Sequence, residues 1–147
     1  GEILEKKPIG FSQDGGLLKP FSNLFYWAHA YTSNNKSTIG LHPHRGFEIC
    51  SFILKGKVKH FDTLLNKWIM LDEGDMQVIK AGKGISHSEE LDSNTEIFQI
   101  WLDPNTKLNH VGTYTFEGDL PARLDYNKTP ALLLRKKSEL ETIMRKI

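Results

Sequence analysis

The sequence predicts an all-β fold, a sandwich or barrel of short antiparallel strands running from about residue 15 to 134. Turn signals recur at short intervals, among them "DGG" at 14–16, "DEGD" at 72–75 and "AGKG" at 81–84. Between the turns lie short runs rich in β-branched and aromatic residues, which favour strands. Many short strands at regular spacing are typical of sandwiches and barrels rather than of layered α/β folds.

The runs assigned as strands follow one another along the chain, each bounded by turn residues. They are "LFYWAHAY" (24–31), "FEICSFIL" (47–54), "KVKHFDT" (57–63), "KWIML" (67–71), "MQVI" (76–79), "EIFQIWL" (96–102) and "TYTF" (113–116). The sequence contains no internal repeat and no low-complexity segment, so the strands are expected to form a single domain over residues 1–147.

One short helix is expected at the C-terminus, over residues 138–147. Ser138 and Glu141 form the S-x-x-E pattern of a capping box. An apolar stripe at helical spacing follows, made of Leu140, Ile143, Met144 and Ile147. A helix of this length is not stable alone in water, so the stripe is expected to pack on the barrel or on a second copy of the chain.

Composition and charge exclude several classes of protein. The chain has 147 residues, 39% apolar and 25% charged, which is ordinary for a globular domain. The net charge of +1 indicates neither a nucleic-acid binder nor a membrane-surface protein. No apolar run is long enough to span a membrane, and "GEILEKKPIG" lacks the apolar core of a signal peptide. Cys50 is the single cysteine, so no intrachain disulfide forms, which is compatible with the cytoplasm.

Two pairs of residues share the same spacing. His42 and His44 lie in the string "HPHRGFE" at 42–48, and His87 and Glu89 lie in "SHSEE" at 86–90. On a strand, residues i and i+2 point to the same side, so each pair can aim at one point in space. If the two segments are neighbouring strands, three neutral imidazoles and one carboxylate converge on one centre.

This set of side chains suits a first-row transition metal, because it is rich in nitrogen, has one hard oxygen and lacks thiolate. Four ligands from two strands leave one or two coordination positions open, as the binding of substrate or dioxygen requires. Each pair alone also fits ordinary surface or core residues, and only the combination favours the metal hypothesis. Ligating histidines need partners that fix their tautomer, and Ser86, Ser88 and Glu48 are nearby candidates.

Other potentially reactive residues are given structural interpretations. His60, within the strand "KVKHFDT", is interpreted as a surface or packing histidine, and Cys50 as a small core residue. Gly82 and Gly84 are interpreted as turn residues with positive φ, because no helix follows them as a phosphate-binding loop requires.

Several strings together resemble the N-terminal cupin domain of the pirin family. They are "HPHRGFE", "FILKGKVKHFDT", "EGDMQVIKAGKGISHSEE" and "FQIWLDP", and they span roughly residues 40 to 103. The resemblance implies a double-stranded β-helix, the cupin jelly-roll barrel. It also implies one metal inside the barrel, with His42, His44, His87 and Glu89 as ligands. In many other cupins the glutamate that matches Glu48 is the ligand, whereas in pirin-like proteins it is the later one, here Glu89.

The resemblance implies two classes of function. Some family members are dioxygenases that open the heterocyclic ring of flavonols such as quercetin, and others are non-enzymatic regulators that respond to the redox state of the metal. A metal-free or structurally metallated cupin without catalysis is the third alternative. For the enzyme, iron(II) is the expected ion, with nickel, manganese, copper, cobalt and zinc as alternatives. Glu89 is the expected catalytic residue, as ligand and as base for an enolic small-molecule substrate.

The chain also departs from the family. Typical pirins contain two cupin domains and are about twice as long, and the segment "LFYWAHAYTSNNKSTIG" is unlike the usual sequence ahead of the first histidine pair. We therefore expect a homodimer in which a second copy stands in for the missing domain. No nucleic acid and no membrane is expected as a partner.

Overall fold

The structure is a computed structural model, and it describes residues 2–103 and 112–116. Strands account for almost all of its regular structure, with one 3₁₀ turn at Ser12–Asp14. The all-β prediction is therefore confirmed. The helix predicted at 138–147 and the remainder of the chain after residue 116 lie outside the described residues.

Ten strands are described, numbered in chain order. They are β1 (Ile3–Ile9), β2 (Leu24–Thr32), β3 (Ser37–His44), β4 (Glu48–Lys55), β5 (Lys57–Asp62), β6 (Lys67–Asp72), β7 (Met76–Lys80), β8 (Ile85–Leu91), β9 (Glu96–Leu102) and β10 (Gly112–Phe116). The predicted strands agree with β2, β4 to β7, β9 and β10 to within one residue at either end. No helix in the described residues has the length and apolar character needed to cross a bilayer.

The strands form two antiparallel sheets that face each other as a jelly roll. One sheet has six strands in the order β1-β2-β9-β4-β7-β10, and the other has four in the order β3-β8-β5-β6. Neighbours in these sheets are often distant in sequence, so the chain crosses repeatedly from one sheet to the other. This topology brings β3, β8 and β5 side by side, although they lie in separate parts of the sequence.

Strand β1 was not predicted, and the described fold therefore begins before residue 15. It lies at the edge of the six-stranded sheet and pairs only with β2. Its sequence "ILEKKPI" has no regular alternation, because only Ile9 is buried and the register with β2 shifts between Lys6 and Ile9. Edge strands of this kind give a weak pattern because few of their side chains are buried.

The space between the sheets is apolar at both ends and polar in the middle. One apolar cluster joins Ile53 and Ile97 of the larger sheet to Val58 and Leu91 of the smaller one. A second cluster, at the other end, contains Ile49, Ile79 and Ile85. Because side chains two residues apart share a face, the positions between these clusters also point inward. Those positions are polar: Ser51, His60, Gln77, His87, Glu89 and Gln99.

Two turns lie side by side at the end of β3 and the start of β8. The turn after β3 contains Gly46, with φ of 81°, and the turn before β8 contains Gly82 and Gly84, with φ of 46° and 140°. The backbone amide of Gly46 donates to the carbonyl of Gly82 at 3.0 Å, and that of Ala81 donates to the carbonyl of Phe47 at 2.9 Å. The prediction of positive φ at Gly82 and Gly84 is confirmed, and the two turns hold the adjacent ends of β3 and β8 together.

Candidate metal centre

The two predicted residue pairs lie on neighbouring antiparallel strands. His42 of β3 is directly opposite His87 of β8, and the Nε2 atoms of His44 and His87 are 2.9 Å apart. The ring centroid of His42 lies 4.7 Å from that of His44 and 4.4 Å from that of His87. One nitrogen from each of the three imidazoles falls within 4.8 Å of the others, so this trio can hold a metal ion.

Glu89 belongs to a second, deeper group that shares His87. One ligand atom each from His60, His87 and Glu89 also lie within 4.8 Å of one another, and all three residues are buried. In the part of the chain that the structure describes, the four predicted residues do not form one such group. His87 is therefore the residue common to an outer group, His42, His44 and His87, and an inner group, His60, His87 and Glu89.

Burial keeps the central histidines in the neutral form that binds metals. Loss of solvent lowers the pKa of His44 to about 4 and that of His87 to about 2, and the neighbouring His42 adds to both shifts. An imidazolium cannot be a ligand, so a lowered pKa maintains two of the three imidazoles of the outer group as donors over the physiological pH range.

Glu89 is the one carboxylate of the inner group, and it is buried. Burial raises its pKa to about 7, while a hydrogen bond from Gln99 opposes that shift. The Gln99 amide nitrogen donates to the two carboxylate oxygens at 3.3 and 3.4 Å. The indole Nε1 of Trp101 donates in turn to the Gln99 amide oxygen at 3.0 Å, which orients that amide toward Glu89. No sequence pattern pointed to Gln99 or Trp101 as partners of the site.

The partner that fixes the tautomer of His42 is a backbone group. His42 Nδ1 donates a hydrogen bond to the carbonyl of Gly40 at 2.7 Å. Its Nε2 is then unprotonated and has a lone pair that can bind a metal. The residues predicted for such a role lie elsewhere: the Ser88 hydroxyl donates to the carbonyl of Ile39, and Glu48 is buried on β4 of the opposite sheet.

His60 was interpreted as a surface or packing histidine, and the surface alternative is wrong. Its side chain is fully buried, directly opposite Glu89 in the β5–β8 register, and its Nε2 lies 2.8 Å from Asp62 Oδ2. The string "HFD" at 60–62 has the same i, i+2 spacing as the two predicted pairs, and this signal was available in the sequence. The β3, β8 and β5 strands thus each carry one such pair and lie side by side.

A cleft of about 380 Å³ borders the outer group at His44. It is lined by the ends of β3 and β8 and by the turns beside them, namely Pro43, His44, Arg45, Thr63, Gly84, Ile85 and Ser86. His44 is the residue shared by the cleft and the outer group.

A two-sheet jelly roll with a cluster of histidines between its sheets is the architecture of a cupin, and this cluster could hold a metal ion. Comparison with known proteins identifies the family: the sequence model of the family named Pirin matches residues 5–102. The chain belongs to the pirin family.

Individual relatives match only parts of this chain and of their own. A pirin-like protein of Caulobacter vibrioides is 43% identical over 124 residues, which cover 71% of this chain and 53% of that protein. The quercetin 2,3-dioxygenase of Escherichia coli K12 is 43% identical over 68 residues, 44% of this chain and 29% of the enzyme. A protein named as a quercetin 2,3-dioxygenase of Zymomonas mobilis is 47% identical over 68 residues, and the match covers 28% of its length. The chain thus spans about half or less of these relatives.

Solved structures support the fold. YhhW of Escherichia coli superposes with a TM-score of 0.70 at 24% identity, covering 80% of this chain and 51% of that one. The same bacterial pirin in complex with nickel(II) gives a TM-score of 0.68 over 78% of this chain and 50% of that one. The cupin prediction is confirmed by these similarities.

Proposed function

We propose that the chain binds one divalent transition metal ion through His42, His44, His87 and Glu89, and that it acts as an iron-dependent dioxygenase on flavonol-like, enolic small molecules. The observation that carries the proposal is the meeting of three imidazoles on β3 and β8 above a buried carboxylate. The regulatory alternative has no comparable observation in its favour.

The chemistry of the donor set fits a divalent ion. His44 and His87 point their Nε2 atoms at each other at 2.9 Å, a contact in which only one of the two can carry a proton. A cation between the imidazoles would use both lone pairs. The Glu89 carboxylate, buried with a raised pKa, would lose its proton to supply the negative charge that partly neutralises the ion.

When bound, the ion would polarise an enolic oxygen as a Lewis acid, and iron would add the redox chemistry that dioxygen requires. The chain itself supplies the proton acceptor. Once the ion has displaced its proton, the Glu89 carboxylate is placed beside the imidazoles to take the substrate hydroxyl proton. Gln99 holds the carboxylate in place during this transfer, since it donates to both oxygens.

The cleft beside His44 is the candidate site for a small-molecule substrate. Its volume of about 380 Å³ is in the range of small-molecule sites, and its lining combines Pro43 and Ile85 with polar side chains. Arg45 adds a positive charge at the rim, which favours a deprotonated, anionic substrate. Relatives named as quercetin 2,3-dioxygenases support the choice of flavonols as the first substrate class.

Iron-loaded protein should consume oxygen when supplied with quercetin. A flavone that lacks the 3-hydroxyl group but is otherwise the same should give no uptake, because it has no enolic proton for Glu89 to remove. An oxygen electrode measures both rates, with mass spectrometry of the products as a second readout. Protein loaded with zinc, which has no accessible redox chemistry, is the matched control.

Equal oxygen uptake with the two compounds would contradict the role of the enolic group. Protein that binds iron but consumes no oxygen with a panel of flavonols would contradict the dioxygenase assignment and favour the regulatory alternative. Protein that binds no divalent ion would contradict the proposal as a whole.

A further inference from the structure

His60 and Asp62 form a fully buried pair beneath the outer group of histidines. Both residues lie on β5, and their side chains are inaccessible to solvent. His60 Nε2 lies 2.8 Å from Asp62 Oδ2, and the His60 ring is tilted against the His87 ring with centroids 5.5 Å apart. The proposed ligand set does not use this pair.

Asp62 is held as an acceptor by four hydrogen bonds. Its Oδ1 accepts from the backbone amides of Leu64 and Leu65 at 2.9 and 2.6 Å. Its Oδ2 accepts from His60 and from the hydroxyl of Thr113 at 2.8 and 2.7 Å. Burial alone would raise the pKa of Asp62, but the hydrogen bonds from Leu65, Thr113 and His60 outweigh it and lower that pKa. An ionised carboxylate has no proton to give, so the proton in the His60–Asp62 bond lies on His60 Nε2.

This bond fixes the tautomer of His60. A neutral imidazole with its proton on Nε2 offers a lone pair at Nδ1, and burial favours the neutral form by lowering the pKa of His60. His60 Nδ1 is buried and has no hydrogen-bond partner among residues 2–103 and 112–116. His87 Nδ1 is also buried and has no hydrogen-bond partner among these residues. Two unpartnered ring nitrogens thus belong to imidazoles whose ligand atoms approach within 4.8 Å.

The needs of the two nitrogens are complementary. His87 Nε2 is turned toward His44, so it is the nitrogen available to a metal. A neutral His87 that binds through Nε2 must carry its proton on Nδ1, and a buried N–H needs an acceptor. His60 Nδ1 is such an acceptor, and the spacing of the rings allows a direct bond after a small rotation or one bridging water.

We propose that His60 is a positioning residue of the metal centre: oriented by Asp62, it accepts the Nδ1–H of His87, directly or through one water, and so presents His87 Nε2 to the metal. The inference rests on the proposed metal binding by His87. It assigns Asp62, His60 and His87 to one chain of hydrogen bonds that runs from β5 to β8, and Thr113 ties this chain to β10 of the opposite sheet.

Asp62→Asn should reverse the tautomer of His60 and weaken metal binding by about 10- to 100-fold, the usual effect of losing an outer partner of a ligating histidine. The reason lies in the separate roles of the two carboxylate oxygens. The asparagine carbonyl must occupy the Oδ1 position, where two backbone amides donate, so its NH₂ group faces His60 Nε2. His60 then carries its proton on Nδ1, and two N–H groups of His60 and His87 oppose each other.

Two measurements on the intact chain test this expectation. Calorimetric titration with nickel(II) gives the affinity, and ¹⁵N spectra of histidine-labelled, metal-free protein show which ring nitrogens carry protons. Wild type should show His60 protonated at Nε2, and Asp62→Asn should show it protonated at Nδ1. Thr113→Val removes one hydrogen bond from Asp62 but keeps the carboxylate, so this control should change the affinity by less than about threefold.

A second pair of variants separates positioning from packing. Asparagine at position 60 places an amide group near the former Nδ1, whereas glutamine at 60 places one near the former Nε2 and leaves no acceptor for His87. His60→Asn should therefore bind nickel(II) more tightly than His60→Gln.

The inference is overturned if Asp62→Asn binds nickel(II) as tightly as wild type, if its affinity falls without the change of tautomer, or if His60→Gln is the better binder. Wild-type protein that does not bind nickel(II) would instead contradict the proposed function, while the ¹⁵N spectra would still report the His60 tautomer.

Discussion

Replacing His87 with alanine should reduce the affinity for divalent metal ions by more than about 100-fold, because loss of a ligand costs more than the 10- to 100-fold loss of an outer partner. His87 is the residue common to the outer and inner groups, so no three of the remaining donors form either group. The barrel should persist, since the apolar clusters at both ends do not include His87. Calorimetry with nickel(II) measures the affinity, and far-ultraviolet circular dichroism reports the strands.

His29→Ala is the matched control for this variant. His29 lies on β2, away from the imidazole cluster, in contact with Glu96 and the ring of Phe98. Its removal should leave the affinity unchanged. A His87→Ala protein that still binds one nickel(II) ion tightly, with its β spectrum intact, would show that the ion is held elsewhere.

Replacing Glu89 with glutamine should abolish tight metal binding and, at the same time, stabilise the metal-free protein above pH 7. The pKa of Glu89 is raised from its ordinary 4.5 to about 7 by burial. Between these two values the folded state holds a proton that the unfolded state has lost, so stability falls as the pH rises through this window. Above pH 7 the folded chain contains a buried carboxylate, at a cost of about 3 kcal/mol.

Glutamine avoids that cost and keeps the contact with Gln99, because its amide oxygen still accepts from the Gln99 nitrogen. The advantage of Glu89→Gln in free energy of unfolding should therefore be absent below pH 4.5, grow up to pH 7 and stay constant above it. Urea unfolding of metal-free protein at a series of pH values measures this difference. If Glu89→Gln is less stable than wild type at pH 8, then an ionised Glu89 does not destabilise the metal-free folded protein, and this prediction is contradicted.

Glu48→Gln provides the comparison for metal binding. Glu48 is also a buried glutamate, but it lies on β4 of the opposite sheet, paired with Lys80 and Leu102. The proposed ligand set predicts that Glu48→Gln keeps its metal. Loss of metal in Glu48→Gln together with retention in Glu89→Gln would indicate the arrangement found in many other cupins.

The candidate site was predictable to the extent that it follows local spacing. His42, His44, His87 and Glu89 were found because i, i+2 pairs share one face of a strand, and the register between β3 and β8 places His42 opposite His87 as expected. The same rule would have selected His60 and Asp62. It was not applied to them because a single histidine within an apolar run is more often explained by packing.

The partners of the site depend on tertiary structure and could not be found in this way. Gln99 reaches Glu89 from β9 in the facing sheet, and Trp101 orients Gln99. The approach of the two sheets has no signature in local sequence. The carbonyl that fixes the tautomer of His42 belongs to Gly40. Every residue has a backbone carbonyl, so residue types alone cannot indicate this contact. Strand β1 was missed for another reason: an edge strand buries too few side chains to impose a regular alternation.

Anomalous diffraction from crystals of the nickel(II)-loaded protein would locate the ion. We expect one peak per chain between β3 and β8, within bonding distance of His42, His44, His87 and Glu89, with His60 outside bonding distance and directed at His87. A peak bonded to His60, His87 and Glu89 alone, a peak bonded to Glu48, or no peak in this part of the barrel would contradict it.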